Sequence, residues 1–270
     1  MTRVDYRGVW ALVTGASSGI GEEFARNLAA RGANLVLVAR SAERLERLAD
    51  DLSRVNGIEA RPVAVDLSLP DGPRTLLDAV SASGVFVEHL VNNAGFGSTG
   101  PFVALEPARE VEMVRLNAEA VVVLTRGFLE PMVRAGRGGV INVASTAGFQ
   151  PVPYMATYGA TKAFVSSFTL ALASELHGTG VRAMALCPGP VHTGFQEAAG
   201  ISRPGVRLAL LTSRQTVERG LAAYDRGDSL YVPGFVNGVQ VAASKLLPRG
   251  LVGWAAVRTM RRLGRTGEKT

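Results

Sequence analysis

Short apolar runs alternate along the chain with longer segments in which apolar residues recur every three or four positions. The short runs are typical of strands that are covered on both faces, and the longer segments are typical of amphipathic helices. The predicted strands are residues 9–14, 34–39, 58–65, 88–91, 138–143, 180–186 and 229–232. The predicted helices are a segment that follows Gly21 and ends near Gly32, and residues 41–55, 70–81, 106–134, 155–177 and 212–225.

This alternation predicts a fold of the α/β class, a Rossmann-type, doubly wound parallel sheet with helices on both faces. We find no linker, repeat or low-complexity segment in the 270 residues, so we expect one domain. Within it we expect a substrate lid at about residues 194–212 and a helical tail at about residues 245–270. Such folds bind ligands at the carboxyl ends of their strands, so the residues that follow the strands are the candidates for chemistry.

A glycine-rich loop joins the first strand to the first helix. Glycines allow the backbone to approach a pyrophosphate, and the free N–H groups at the helix N-terminus face it. The spacing Gly-x-x-x-Gly-x-Gly differs from the commoner Gly-x-Gly-x-x-Gly, and a plain glycine turn is the alternative interpretation. The loop consists of Gly15, Ala16, Ser17, Ser18, Gly19, Ile20 and Gly21.

The end of the second strand bears on the choice of cofactor. An NAD site usually has an acidic residue here for the ribose 2′-hydroxyl, but this chain has Ala39 followed by Arg40. An arginine suits a 2′-phosphate, because it forms charge-assisted hydrogen bonds with phosphate oxygens. The sequence therefore favours NADP(H) over NAD(H). The alternative is a solvated Arg40 at the start of the next helix.

Polar or small residues also follow the later strands. Asp66 follows the third strand, where its carboxylate could accept a hydrogen bond from adenine or could cap a loop. Residues 92–95 (Asn-Asn-Ala-Gly) could line a cofactor site or form a polar turn. Ser145 follows the fifth strand and residues 187–193 follow the sixth. All these positions are expected at one edge of the sheet.

Tyr158 and Lys162 lie four residues apart on a predicted helix, and therefore on one face of it. Tyrosine is a poor proton donor at neutral pH, because its ordinary pKa is about 10. A nearby ammonium lowers that pKa, and a shift to about 7 corresponds to roughly 4 kcal/mol. Such a tyrosine could protonate a substrate oxygen as hydride reaches the carbon. The same spacing also occurs by chance on many helices.

The net charge of +6 is concentrated at the C-terminus. Residues 245–270 contain seven of the 29 basic residues and one of the 23 acidic residues, so the remainder is neutral. A neutral body argues against nucleic-acid binding. On a helical wheel of residues 251–265, Arg258, Arg261, Arg262 and Arg265 cluster on one side with Trp254 beside them, and Val252, Ala256, Met260 and Leu263 cluster on the opposite side. This pattern predicts either binding to an anionic membrane surface or packing of the apolar side on the body or on a sister subunit.

Other features bear on location and on metals. The single Cys187 excludes an internal disulfide, which fits a reducing cytosol. The N-terminal segment does not resemble a secretory signal, and no apolar run has the length of a membrane-spanning helix. The three histidines have no clustered metal-ligand spacing, so no metal site is predicted. We expect a cytoplasmic protein, with peripheral attachment to a membrane as the alternative if the tail binds lipid.

Taken together, the motifs resemble the short-chain dehydrogenase/reductase superfamily in its compact oxidoreductase branch. The resemblance covers roughly residues 8–193. It rests on the glycine-rich loop at residues 14–21, the turn at residues 92–95, Ser145, the Tyr158-x-x-x-Lys162 pair, and Pro188-Gly189.

The resemblance implies an enzyme that transfers hydride between a nicotinamide cofactor and a carbonyl or alcohol group. Tyr158 would be the general acid in reduction and the base in oxidation, and Lys162 would lower its pKa and hold the nicotinamide ribose. Ser145 would bind the substrate oxygen, and Asn117, unfavourably placed within a helix by propensity, would position a water. The implied cofactor residues, with Arg40 added from the reasoning above, are Gly15, Ser17, Ser18, Gly19, Ile20, Gly21, Asp66, Leu67, Asn93, Ala94, Gly95, Tyr158, Lys162, Pro188, Gly189, Val191 and Thr193.

The substrate and the assembly are less specified. A lipophilic ketone, aldehyde or secondary alcohol is expected, and the resemblance implies a homodimer or homotetramer. A nucleotide-binding sensor without turnover, or a membrane-surface assembly protein on the same fold, are the alternatives. Candidate pocket residues, which could also belong to the core, are Phe96, Phe149, Val152, Met155 and Phe195.

Overall fold

The computed structural model describes residues 4–191 and 211–246, together with Gly250, Gly253 and residues 256–258. Its centre is a seven-stranded sheet in which all neighbouring strands are parallel. The strands are β1 (Trp10–Thr14), β2 (Asn34–Ala39), β3 (Ala60–Ala64), β4 (Val87–Asn92), β5 (Gly139–Val143), β6 (Arg182–Leu186) and β7 (Leu230–Tyr231). The α-helices of the described residues are α1 (Gly19–Ala30), α2 (Ala42–Asn56), α3 (Gly72–Ala82), α4 (Pro107–Val114), α5 (Ala120–Ala135), α6 (Ala156–Glu175), α7 (Ser213–Arg226) and α8 (Phe235–Leu246).

The strand order is β3-β2-β1-β4-β5-β6-β7. Strands β2 and β3 therefore lie on one side of β1, and strands β4 to β7 follow one another on its other side. Trp10 at the start of β1 is paired with Asn34 of β2 on one side and with Val87 of β4 on the other. At such a reversal the connections leave on opposite faces of the sheet, so a crevice forms at the carboxyl ends of β1 and β4.

The two faces of the sheet have separate apolar cores. Leu12 of β1 packs in the core with α3, α5 and α6, whereas Ala11 and Val13 pack in the core with α1, α2 and α7. This alternation follows from the period of two along a strand. The helices thus form one layer on each face, and the predicted three-layer α/β/α architecture is confirmed.

The segment between β4 and β5 contains a widened helical turn. Helices α4 and α5 are joined by a π-helical turn, Arg115–Glu119, so the predicted helix at residues 106–134 is continuous but not uniformly α-helical. Single π-turns within α-helices are frequent at functional sites. Asn117 lies in this turn and is fully buried, so its polar group is used inside the protein.

The bounds of the predicted strands and helices differ from the observed ones by no more than two residues, except that α1 begins at Gly19, three residues before its predicted start after Gly21. Helix α8 was missed, because most of its described large apolar residues do not face a core: Phe235 is 86% exposed and Val236 and Val239 are also exposed, whereas Val241 is buried. Thr193, Phe195, the predicted lid up to residue 210 and most of the tail at residues 245–270 lie outside the described residues.

Candidate active site

A cleft of ≈ 690 Å³ opens at the carboxyl ends of the strands, at the reversal between β1 and β4. Most of the residues singled out in the sequence line it. They are Gly15, Ser17, Ser18, Gly19, Ile20, Arg40, Asp66, Leu67, Asn93, Ala94, Gly95, Ser145, Tyr158, Lys162, Pro188, Gly189 and Val191. Of the remaining predicted site residues, Gly21 and Asn117 lie behind this lining.

The glycine-rich loop is shaped for close approach of backbones. Gly15 and Gly19 have positive φ angles of 66° and 60°, which other residues adopt only with strain. A side chain at Gly21 would collide with the Gly15 carbonyl oxygen, so Gly21 lets α1 start directly beneath the loop. Asn93 fixes this geometry, because its Nδ2 donates to the Thr14 carbonyl oxygen at 3.0 Å. The loop therefore leaves the room beside the N-terminus of α1 that a pyrophosphate needs.

Basic residues lie at the end of the cleft beyond β2. The Arg40 guanidinium is 79% exposed and lies 3.9 Å from Asp66 Oδ2. The other Asp66 oxygen, Oδ1, accepts hydrogen bonds from Ser68 N at 2.9 Å and Ser68 Oγ at 2.6 Å, so Asp66 does cap a turn. Ser41 and Arg44 also line this end. The sequence analysis missed Arg44, which lies in the first turn of α2 and reaches the cleft through the orientation of that helix.

Helix α6 carries Tyr158 and Lys162 on its buried face. Tyr158 is hydrogen-bonded to the Ser145 side chain. Lys162 Nζ donates to the Val143 carbonyl oxygen at 2.8 Å and lies 5.9 Å from the centre of the Tyr158 ring. Ser145 also caps the short 3₁₀ turn Thr146–Phe149, since its Oγ accepts from Ala147 N at 3.1 Å. The serine, tyrosine and lysine therefore converge between β5 and α6.

Asn117 connects this group to the loop after β4. Its Oδ1 accepts from Phe96 N at 3.1 Å, and its Nδ2 donates to Phe96 O at 2.9 Å and to Thr161 Oγ1 at 3.2 Å. A Cβ atom at Gly95 would lie 2.9 Å from Asn117 Oδ1 and 3.5 Å from Lys162 Nζ. Only a glycine therefore fits at this position without a shift of its neighbours.

Burial sets the proton affinities of the two central side chains. Burial raises the pKa of Tyr158 to about 12, and the hydrogen bond to Ser145 acts in the opposite direction. Burial also lowers the pKa of Lys162 to about 8. The expected lowering of the Tyr158 pKa by the Lys162 ammonium is therefore absent in this structure. The reason is that Nζ is bound to the Val143 carbonyl and both groups have lost their hydration.

The wall of the cleft beside Tyr158 is mostly apolar. Phe96 and Val152 pack against Met155 and Tyr158, and all four line the cleft. Phe149 was expected there too, but it packs in the core beneath α6. The sequence analysis missed five further residues that line the cleft on this wall or near α8. They are Arg109, Glu112, Leu116, Gln150 and Gln240.

The described residues show neither a metal-binding cluster nor a membrane-spanning helix. They contain no group of three or more His, Cys, Asp and Glu residues that could hold a metal ion. No helix among them is both long enough and apolar enough to cross a membrane.

Comparison with known proteins identifies the family. The family model described as short chain dehydrogenase matches residues 9–203. A very-long-chain 3-oxoacyl-CoA reductase of Bos taurus is 35% identical over 203 residues, which are 73% of this chain and 63% of that protein. The chain spans 54–63% of the length of this and two further relatives.

Solved structures extend the likeness to the fold of nearly the whole chain. A short-chain dehydrogenase from Sphingobium yanoikuyae in complex with NADPH has a TM-score of 0.78 at 29% identity and covers 89% of this chain and 97% of that one. A 7β-hydroxysteroid dehydrogenase has a TM-score of 0.83 at 26% identity and covers 98% of this chain and 100% of that one. This chain belongs to the short-chain dehydrogenase family.

Proposed function

We propose that the protein is an NADP(H)-dependent reductase of lipophilic ketones, with 3-oxoacyl thioesters as its substrate class and Tyr158 as its general acid. One observation carries this proposal: Ser145 and Tyr158 are hydrogen-bonded to each other on the wall of the cleft, one helical turn from Lys162. The cofactor, when bound, supplies the hydride that reaches the substrate carbon. The protein then has to hold the carbonyl, supply a proton and exclude water.

The cradle for the cofactor is formed by residues that leave space for it. Gly15, Gly21 and Gly95 stand where a side chain would strike a neighbouring backbone or polar atom. Beyond them, the exposed guanidinium of Arg40 and the neighbouring Arg44 supply positive charge for a 2′-phosphate. The residue at the end of β2 is Ala39, whereas a site for NAD usually has an acidic residue there to bind the ribose 2′-hydroxyl. These features support NADP(H) over NAD(H).

The proton transfer follows from the pKa of Tyr158. Because burial raises this pKa to about 12, the phenol keeps its proton at neutral pH and is available as an acid. As the carbonyl oxygen gains negative charge, Ser145 donates a hydrogen bond to it and Tyr158 transfers its proton. Lys162, whose pKa is about 8, is mostly protonated at neutral pH, and its ammonium is available to hold the nicotinamide ribose. In oxidation the same steps run in reverse.

The substrate class rests on two observations. The part of the cleft beside Tyr158 is apolar, with Phe96, Val152 and Met155 packed next to it. Relatives that share 35% and 38% identity with parts of this chain are named very-long-chain 3-oxoacyl-CoA reductases. An acyl chain against the apolar wall would bring the 3-keto group to Tyr158.

The proposal is tested with the Tyr158→Phe variant, which keeps the ring and removes the proton. General acid catalysis typically contributes about 10²–10⁴-fold, so the kcat for NADPH-dependent reduction of a 3-oxoacyl thioester should fall by at least about 100-fold. Tyr231→Phe is the matched control, since it also removes a tyrosine hydroxyl, but from a residue that does not line the cleft. Near-wild-type turnover in Tyr158→Phe would refute the assignment. A nucleotide-binding sensor would instead bind NADPH and show no turnover at all.

We also propose that the protein assembles through the helices that flank the cleft. The exposed apolar residues Val111 and Val114 of α4, and Phe164 and Leu170 of α6, form a surface that a sister subunit can cover. On this surface the Phe164 ring is stacked on the Phe168 ring, with 5.9 Å between the ring centres. Light scattering at micromolar concentration should give a dimer or tetramer, and a monomer would refute this assembly.

Three expectations stay predictions from the sequence: that the chain is one domain, that the enzyme is cytoplasmic, and that the tail binds lipid.

A further inference from the structure

Arg109 differs from the other arginines that stack on aromatic rings. Within the described residues, five arginines lie over such rings, and four of them also form an ion pair with a carboxylate: Arg31, Arg61, Arg137 and Arg226. Arg109 forms no ion pair with any described residue, and it is the one member of the set that lines the cleft. The Glu112 carboxylate lines the same wall one turn further along α4, yet no contact within ion-pair distance joins the two.

The position of Arg109 is fixed by the catalytic group. Its guanidinium carbon lies 4.4 Å from the centre of the Phe96 ring. The backbone N–H and carbonyl of Phe96 are both hydrogen-bonded to the Asn117 side chain. Phe96 also packs against the cluster formed by Met113, Met155 and Tyr158. The cation is therefore held one aromatic ring away from the proposed general acid.

A guanidinium stacked in this way still has its N–H donors free along its edge. Arginine binds phosphate through two parallel hydrogen bonds made by that edge, and stacking on a ring leaves this geometry intact. The opposite end of the cleft has its own arginines, Arg40 and Arg44, for the cofactor. The cleft thus has one basic site at each end, and only one of them is explained by a nicotinamide dinucleotide.

We propose that Arg109 binds the phosphate groups of the coenzyme A carrier of an acyl thioester substrate. This inference rests on the proposed function and adds a specificity-determining residue to it. With the 3-keto group at Tyr158, the acyl chain lies against the apolar wall and the carrier leaves the cleft past Phe96. Arg109 is exposed at that exit, so it selects substrates by the charge of the carrier and takes no part in proton transfer.

The test compares two thioesters of one 3-oxoacyl chain. One has coenzyme A as its carrier and the other has N-acetylcysteamine, which is neutral. The measured quantity is the ratio of kcat/KM for the two substrates with NADPH. We expect Arg109→Ala to lower this ratio by about tenfold, the low end for a charge-assisted hydrogen bond because the site is exposed. Arg109→Lys, which keeps the charge and loses the bidentate edge, should give an intermediate ratio.

Controls separate this role from a general effect of charge or folding. Arg126→Ala removes one exposed positive charge from α5, where Arg126 is paired with Glu130, and should keep the wild-type ratio. If Arg109→Ala does not fold, Arg109→Gln serves instead, because its stem still covers Phe96. In the wild type, added salt should lower the ratio, since exposed charges are screened. An unchanged ratio in Arg109→Ala or Arg109→Gln would overturn the inference.

A second measurement does not depend on turnover. A saturated acyl-coenzyme A, which lacks the 3-keto group, is titrated into the NADPH complex by calorimetry. The wild type should bind it about tenfold more tightly than Arg109→Ala does. If neither 3-oxoacyl thioester consumes NADPH, the proposed function fails, and this titration still decides whether Arg109 recognises the carrier. Equal affinity of the two proteins overturns the inference.

Discussion

Lowering the pH from 7 to 5 should destabilise this protein through His89, which lies in β4 near its amino end. The ring is buried between Tyr6 and Tyr224, and its Nδ1 is hydrogen-bonded to the Tyr224 hydroxyl at 3.0 Å. Its Nε2 is buried without a hydrogen-bond partner. Burial lowers the pKa of His89 to about 4, and the Arg182 charge acts in the same direction, while Asp225 acts against it.

The magnitude follows from the difference between the folded and unfolded proton affinities. The ordinary pKa of histidine is about 6.5, so between pH 6.5 and pH 4 the unfolded chain binds a proton that the native state does not bind. The contribution of His89 to stability is therefore present above pH 6.5 and is lost as the pH falls towards 4. At about 1.4 kcal/mol per pKa unit, the full loss is about 3 kcal/mol, of which about 2 kcal/mol occurs between pH 7 and pH 5.

Urea denaturation followed by circular dichroism at pH 7 and pH 5, at constant ionic strength, measures this loss. Other groups contribute to the total slope, so the quantity to compare is the pH difference in wild type and in His89→Asn. Asparagine keeps a polar atom near the Tyr224 hydroxyl but does not titrate, so the variant should lose about 2 kcal/mol less on acidification. His177→Asn, at an exposed histidine, should behave as wild type. An equal pH difference in wild type and His89→Asn would refute the reasoning.

Three further outcomes are expected. Arg40→Ala should reduce the preference for NADPH over NADH in kcat/KM by about tenfold, and a wild type that uses both cofactors equally would contradict the assignment. Gly95→Ala should lower kcat by about tenfold in steady-state assays, because its Cβ would lie only 2.9 Å from Asn117 Oδ1, which is hydrogen-bonded to Phe96 N; an unchanged kcat would mean that the loop can shift. Tyr154 has a φ of 66°, so Tyr154→Gly should be more stable than Tyr154→Ala by about 1 kcal/mol in urea denaturation, and equal stability would argue against strain.

The sequence was sufficient for the architecture because its apolar periodicities change sharply at the ends of the strands. Glycines and polar residues then mark those ends, and parallel pairing brings them to one edge of the sheet. The π-turn at Arg115–Glu119 was not predictable, since a widened turn has no distinct periodicity. Its only signal was an asparagine in mid-helix. Arg44 and Gln240 reach the cleft through helix orientation, which a linear pattern does not contain.

The pKa of Tyr158 shows a different limit. Spacing on a helix establishes that Lys162 is near, but it does not show where the ammonium points or how much water remains. The structure directs Nζ to the Val143 carbonyl and buries both side chains, and the resulting pKa moves away from the value expected from the charge pair alone. The sequence therefore identifies the participants, whereas the balance between burial and charge depends on packing that is not visible in a motif.

Burial also separates the residues proposed for chemistry from those proposed for ligand choice. Asn117, Tyr158 and Lys162 are buried and hydrogen-bonded to the surrounding backbone or side chains, so we expect salt to have little effect on them. Arg40 and Arg109 are exposed at opposite ends of the cleft, where their charges act through solvent and are screened by it. Substitution of Arg40 should therefore alter which cofactor binds, and substitution of Arg109 should alter which substrate binds. The proton transfer at Tyr158 should remain the same for every ligand that does.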